Sequence, residues 1–191
     1  MASDSVILVT PRTILRPMKL SDILSVSRAA NSAAVAQYMR NRFPSPYTEA
    51  DAEKWIKGLL AKERPCGFAI ADPKTDEVIG GIGIELGKDV DFRSAEFGYW
   101  LGEDYWGKGI MSEVGKAFAE WVLKNIRVTS EYEAGKEFTL TRLFASVLDG
   151  NDGSRRVLEK SGFVLEGIMK RGAYKHGKVM DQWIYAITQE D

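Results

Sequence analysis

The sequence predicts a mixed α/β (α+β) fold, with a mostly antiparallel central sheet of about six to seven strands and helices on both faces. Three observations predict it. Strand-like segments come as adjacent pairs across short turn-rich loops, at 67–71 with 78–86 and at 164–169 with 180–187, as antiparallel neighbours do. Two other segments, after Ser21 or Asp22 and after Thr48, carry apolar residues near helical spacing behind a capping residue, and Ser154–Ser161 reads as a further helix. Between these, Ala95–Leu101 reads as an aromatic-rich strand that runs through a glycine-containing turn into a helix from about Ile110 to Asn125. A chain of 191 residues suits one domain, expected to span 1–191.

In chain order, Val6–Val9 and Thr13–Arg16 form a broken first strand around Pro11, stopped by Pro17. Ser21 or Asp22 is placed to cap a helix with Ile23, Leu24, Val26, Ala29 and Ala30 as its apolar residues. Arg16 reads most simply as a structural ion-pair or turn residue. An apolar stretch, 33–39, then meets a basic turn at Arg40-Asn41-Arg42 and an extended loop imposed by Pro44 and Pro46. Thr48 and Asp51 make a capping box for a helix to about Lys62, with Ala52, Trp55, Ile56, Leu59 and Leu60 on one face.

Gly80, Gly81 and Gly83 inside the 78–86 strand predict a bulge or a second backbone passing close by. After the central helix, the polar run 127–138 is long for a helix-to-strand connection and reads as an insertion. A plain surface loop is the expectation for it, with a small hairpin or a lid left open. Arg142–Leu148 is a buried strand, Ser154–Ser161 a helix, and Gly162 its left-handed stop.

Composition narrows the function. Apolar residues at 45% and charged residues at 28% describe an ordinary globular chain, large enough to bury a core without disulfides or metal. With 26 Lys and Arg against 27 Asp and Glu, no net field argues for nucleic acid or an acidic membrane, and neither is expected as a partner. Cys66 is alone, which excludes an internal disulfide and suits a reducing compartment; beside Pro65 it reads as a packed small residue. One histidine and one cysteine do not assemble a zinc site of the usual ligands, so no metal is expected. No secretory signal and no membrane span are visible, and the expectation is a cytoplasmic protein with the nucleus left open.

The most informative stretch is 95–113, AEFGYWLGEDYWGKGIMSE. Gly107 and Gly109 let the backbone approach a ligand closely, and the helix N-terminus that follows favours an anion, so a phosphate is the expected ligand. A tight turn with no ligand would need the same glycines. A P-loop fits poorly, because Lys108 lies between the glycines and no Ser or Thr follows the Gly-Lys pair; a dinucleotide fingerprint lacks its third glycine. The stretch resembles the acyl-CoA loop of the GNAT N-acetyltransferase superfamily. Trp106 stands where that family usually has Gln or Arg, and Met111 where it has Gly or Ala. Tyr105-Trp106-Gly107-Lys108-Gly109, with Asn151, Ser154 and Val157-Leu158-Glu159-Lys160-Ser161-Gly162-Phe163, is similar to the ribosomal-protein N-terminal (alanine/serine) acetyltransferase branch. The likeness extends loosely from Leu15 to Ile187.

The resemblance implies acetyl-CoA as co-substrate, with Trp106, Gly107, Lys108, Gly109, Ile110 and Met111 cradling its pyrophosphate. It also implies that backbone near Leu101 pairs with the pantetheine arm, while Asn151 orients that arm or a water. The reaction is then attack of a neutral amine on a thioester, which needs a base. Glu96 shares a strand face with Gly98 and Trp100 and is the candidate, against the plainer reading of an edge carboxylate paired with Lys or Arg; Glu85 is the back-up. Position 158 is leucine where many members carry an acidic tyrosine, so Ser154 is assigned a hydrogen bond to the leaving thiolate, against helix capping. Arg40, Arg42, Phe43 and Tyr47 are candidate acceptor contacts, with a solvated turn and packed aromatics as the alternative. Tyr174 and His176 read as loop residues. The resemblance implies that the acceptor is a primary amine, of a protein N-terminus or a small molecule, which attacks acetyl-CoA directly in a ternary complex, with monomer and homodimer both left open. A non-catalytic CoA-binding protein is the main alternative, and a nucleotide-phosphate binder a weaker one.

Overall fold

The computed structural model describes residues 6–130 and 132–190 as a mixed α/β protein. Its elements are β1 (Leu8–Val9), β2 (Ile14–Pro17), α1 (Ile23–Ala30), α2 (Ala33–Gln37), α3 (Glu49–Leu60), β3 (Gly67–Ala71), β4 (Val78–Leu86) and β5 (Ser94–Leu101). After them come α4 (Ile110–Asn125), β6 (Arg127–Thr129), β7 (Glu137–Thr139), β8 (Arg142–Leu148), α5 (Asp152–Lys160), β9 (Val164–Lys175) and β10 (Lys178–Thr188). Eight strands form one mostly antiparallel sheet in the order β1-β2-β3-β4-β5-β8-β10-β9, with β5 and β8 parallel. The count exceeds the expected six to seven because the broken first strand becomes two short ones paired Leu8 to Leu15 and Val9 to Ile14.

The chain divides into two compact units, one comprising residues up to Gly83 with Tyr99–Val114, the other Ile84–Gly98 with residues from Gly115 onward. In the first unit β2, β3 and β4 are antiparallel. Val26 and Ala30 of α1, Ala52 and Ile56 of α3, and Ala69 and Trp100 of the strands share one buried core. The glycines of β4 are explained by their neighbours. A Cβ on Gly80 would lie 2.6 Å from the Trp100 carbonyl oxygen, and one on Gly81 2.6 Å from the Trp100 indole nitrogen. The expected bulge is present too, as a register shift opposite Ile70 and Ala71.

Two capping expectations separate. Thr48 and Asp51 form the reciprocal box at α3, with Asp51 N–H donating to Thr48 Oγ1 at 3.2 Å and Thr48 N–H to Asp51 Oδ2 at 2.9 Å. Asp22 precedes α1 without a side-chain cap, at the end of a single 3₁₀ turn, Leu20–Asp22. Its carboxylate instead accepts from buried Arg16, at 2.8 and 2.9 Å, and Arg16 Nε donates to Asp76 at 2.6 Å. Arg16 is thus the structural ion-pair residue the sequence suggested.

In the second unit Phe97 lies 5.9 Å from Phe118 and 5.1 Å from Phe163, ring centre to ring centre. The β9–β10 hairpin is longer than expected, because pairing continues to Lys175 and Lys178 around a two-residue turn, His176-Gly177, with both residues left-handed. The polar insertion is not a plain loop. β6 and β7 pair antiparallel from Arg127–Thr139 to Thr129–Glu137, and Phe138 meets Phe92 at 5.3 Å with the Arg93 guanidinium 5.6 Å from its ring. Glu131, inside the insertion, lies outside the described residues.

Candidate functional site

In the first unit the expected strand-turn-helix is present. β5 ends at Leu101, a 3₁₀ turn covers Glu103–Tyr105, and α4 starts at Ile110, so Trp106–Gly109 form the loop between them. Gly107 and Gly109 have φ of +70° and +73°, the left-handed region that disfavours any L side chain. Nothing lies within 4 Å of where a Cβ on Gly107 would be, so its glycine answers only a backbone requirement. A Cβ on Gly109 would also stand 3.3 Å from Arg12 Nη2.

The rest of the loop is held at both ends. Trp106 Nε1 donates to the Leu101 carbonyl at 2.8 Å, so the oxygen beside the expected pantetheine position already accepts a bond. The Lys108 ammonium sits 5.7 Å from the Tyr105 ring centre. The Ile110 and Met111 side chains are buried, which leaves their main chain as what they offer a ligand. Arg12, from the turn between β1 and β2, donates to the Lys108 carbonyl and, at 3.3 Å, to the Gly109 carbonyl. The same guanidinium donates to Glu113 Oε2 from Nε at 2.9 Å and from Nη2 at 2.6 Å. Burial raises the Glu113 pKa, yet hydrogen bonds from Thr10 and Arg12 and the Arg12 charge outweigh it and hold the carboxyl below its usual range. Arg12 was not among the residues singled out in the sequence, since nothing local links it to a loop 96 residues away.

The second unit carries the remaining candidates. Glu96 is half-buried on β5, opposite Phe144 of β8, while Glu85 of β4 is exposed. Asn151 and Ser154 meet at the start of α5. Asn151 Oδ1 accepts from the Ser154 N–H at 3.2 Å, so Asn151 is the N-cap and Ser154 occupies the third helical position. Capping, the plain explanation for Ser154, belongs to its neighbour. Leu101, Trp106, Gly107, Lys108, Gly109, Ile110 and Met111 therefore share one unit, and Glu96, Asn151 and Ser154 the other.

Among the candidate acceptor residues, Phe43 packs 4.8 Å from Tyr47 and 6.4 Å from Trp100, and Tyr47 is buried. Its phenol is pushed up to about 12 by burial and by Asp51. These two belong to the core, whereas Arg40 and Arg42 are exposed. His176 lies in the exposed hairpin turn, as read, whereas Tyr174 is not a loop residue: it is exposed on β9, paired with Val179. Among the described residues no three His, Cys, Asp or Glu side chains group to hold a metal ion, and no helix is long and apolar enough to cross a membrane.

Comparison with known proteins places this geometry in context. The sequence profile of the Acetyltransferase (GNAT) domain matches residues 12–164. The chain is 33% identical over 183 residues to a Bacillus subtilis (strain 168) protein named "Probable N-acetyltransferase YjcK", covering 93% of this chain and 94% of that one. It is 28% identical over 140 residues to the ribosomal-protein-serine acetyltransferase of Escherichia coli (strain K12), covering 73% and 71%. Among solved structures, Mycobacterium smegmatis RimJ in complex with CoA-disulfide superposes with a TM-score of 0.72 at 25% identity, covering 92% of this chain and 81% of that one.

Proposed function

The chain belongs to the GNAT acetyltransferase family and is an acyltransferase, and on that premise we propose that it moves an acetyl group from acetyl-CoA to a primary amine. The observation that carries the proposal is the loop opening α4, where two left-handed glycines stand immediately before a helix N-terminus, whose first N–H groups and positive dipole end favour an anion. That chemistry suits a pyrophosphate, and the M. smegmatis neighbour, solved in complex with CoA-disulfide, supports the reading. Trp106, Gly107, Lys108, Gly109, Ile110 and Met111 hold the pyrophosphate in this reading, and Leu101 main chain, Asn151 and Ser154 serve the pantetheine arm.

Glu96, directly or through water, takes the proton that the attacking amine must lose. The C–N bond forms as the thioester C–S bond breaks, and the electron pair leaves on sulfur. Ser154 donates a hydrogen bond to that sulfur; its hydroxyl is too weak an acid to surrender the proton at pH 7. In this reading attack is direct, and Cys66 is not a carrier: burial raises its thiol pKa, which disfavours the thiolate a carrier needs. The acceptor is the N-terminal amine of a protein or a small-molecule amine, and the name of the E. coli relative favours the protein. The reaction as proposed uses no resident metal, takes place in the cytoplasm and occupies one domain over 1–191.

A thiol-release assay with acetyl-CoA over a panel of peptide N-termini and small amines tests the reading. Glu96→Gln is expected to lower turnover by about 10²–10⁴-fold while calorimetry still shows acetyl-CoA binding. Turnover within twofold of wild type would remove Glu96 as base, and a wild-type protein that binds no acetyl-CoA would sink the whole reading.

A further inference from the structure

We infer that Arg12, braced by Glu113, is a positioning residue that presets the loop for the cofactor's pyrophosphate, an inference that rests on the acetyl-CoA reading above. Arg12 donates at once to the carbonyls of Lys108 and Gly109 and to the carboxylate of Glu113. In a trans peptide the C=O and the following N–H point in opposite directions. The Gly109 carbonyl also accepts the Glu113 N–H of α4 at 3.1 Å, so the helix itself aims the Ile110 N–H. Fixing the Lys108 carbonyl toward Arg12 turns the Gly109 N–H of the preceding glycine loop away from the guanidinium, in the direction an anion must approach from.

The loop needs such a brace. Gly107 and Gly109 are left-handed, and glycine has the widest backbone freedom of any residue, so ordering this loop only when ligand arrives would subtract from affinity. Glu113 has a second role. It lies in the first turn of α4, where its charge alone would repel a phosphate; paired with Arg12 it presents a nearly neutral ion pair and anchors the guanidinium plane. Net charge therefore does not explain the role of Arg12, whereas its planar fork does, because a lysine ammonium has no rigid set of donors that spans two carbonyls and a carboxylate.

The test compares two acetyl donors in the full-length protein: acetyl-CoA, and S-acetylpantetheine, which has the thioester arm but no pyrophosphate. Arg12→Gln and Arg12→Lys are each expected to raise KM for acetyl-CoA about tenfold, the loss of preorganisation falling on binding. KM for S-acetylpantetheine should stay within twofold, so the preference for acetyl-CoA over the truncated donor collapses. An unchanged KM for acetyl-CoA in Arg12→Gln overturns the inference. So does an equal loss with both donors, which marks general structural damage, and so does full recovery in Arg12→Lys, which marks simple charge attraction. A wild-type protein that uses S-acetylpantetheine and acetyl-CoA equally well removes the pyrophosphate site itself, and one that uses neither fails the acetyltransferase reading on which the inference stands.

Discussion

At the scale of single residues, the loop glycines and the α5 cap make separable predictions. An L side chain in the left-handed region loses about 1–2 kcal/mol, so Gly107→Ala and Gly109→Ala should each lower stability by about that amount in urea denaturation. Only the second also displaces Arg12, so Gly109→Ala should weaken acetyl-CoA binding more than Gly107→Ala in a titration; equal losses would mean that the Arg12 contact is incidental. At α5, Asn151→Ala removes the cap and should cost about 1 kcal/mol of stability. Ser154→Ala keeps the N–H that Asn151 binds, so the α5 cap should survive it and its effect is expected in turnover. A Ser154→Ala enzyme with full turnover would leave the serine no part in the chemistry.

At the scale of elements, β2 and α1 are joined by a charged side chain held almost wholly out of water. Arg16 is 2% exposed, and its fork satisfies Asp22 while its Nε reaches Asp76. Removing one partner of a buried pair leaves the other charge uncompensated, so Arg16→Met should lose about 3–5 kcal/mol. The double variant Arg16→Met with Asp22→Leu should recover part of that loss, because apolar replacement of both partners removes the stranded charge. Acid should act through the same group of residues. Burial tends to raise the Asp76 pKa, but Arg16 and Lys19 outweigh it and hold the carboxyl below its ordinary value. With the folded pKa below the unfolded one, the contribution of Asp76 is complete above about pH 3.9 and declines as pH falls through the folded value. Asp76→Asn should therefore flatten the acid limb of the stability profile, below about pH 4, relative to wild type. Parallel profiles for the two proteins would show that Asp76 is not a source of acid sensitivity.

At the scale of the whole molecule, the two units exchange chain at 83/84, 98/99 and 114/115, and these points fall inside β4, β5 and α4. No flexible linker separates them at those positions. Because breaking either unit would break shared strands and a shared helix, one cooperative transition is expected, with calorimetric and van't Hoff enthalpies equal. Two resolved transitions would overturn the proposal of a single domain. A ligand bound at a hundred times its Kd adds about 2.7 kcal/mol to the folded state, so acetyl-CoA should raise Tm by about 5–11 °C for a chain of this length. ATP at the same concentration should not, and an equal shift with both would favour a general phosphate site.

The sequence by itself determined those features that are set by neighbours along the chain. The Thr48 to Asp51 capping box, the glycine turn before α4 and the period-two strands depend on conformations that a few residues encode, whereas at Gly80 and Gly81 the sequence shows only that something passes close and the fold supplies Trp100. The bounds of α4 follow from the same local periodicity. Only the tertiary structure decided what depends on partners far apart in sequence. Asp22 read as a cap because Asp caps helices, but Arg16 and the distant Asp76 claimed the charges that a local rule would leave to the helix end. Phe43 and Tyr47 read either as acceptor contacts or as packed aromatics, and the fold packs them, setting Phe43 near Trp100 and the Tyr47 N–H on Asn31. Arg12 carried no local signal at all, since its partners Lys108, Gly109 and Glu113 lie about a hundred residues away and come within reach only when β1, β2 and the start of α4 are in place. Backbone preference acts over a few bonds, whereas a guanidinium finds its carbonyls through the folded chain.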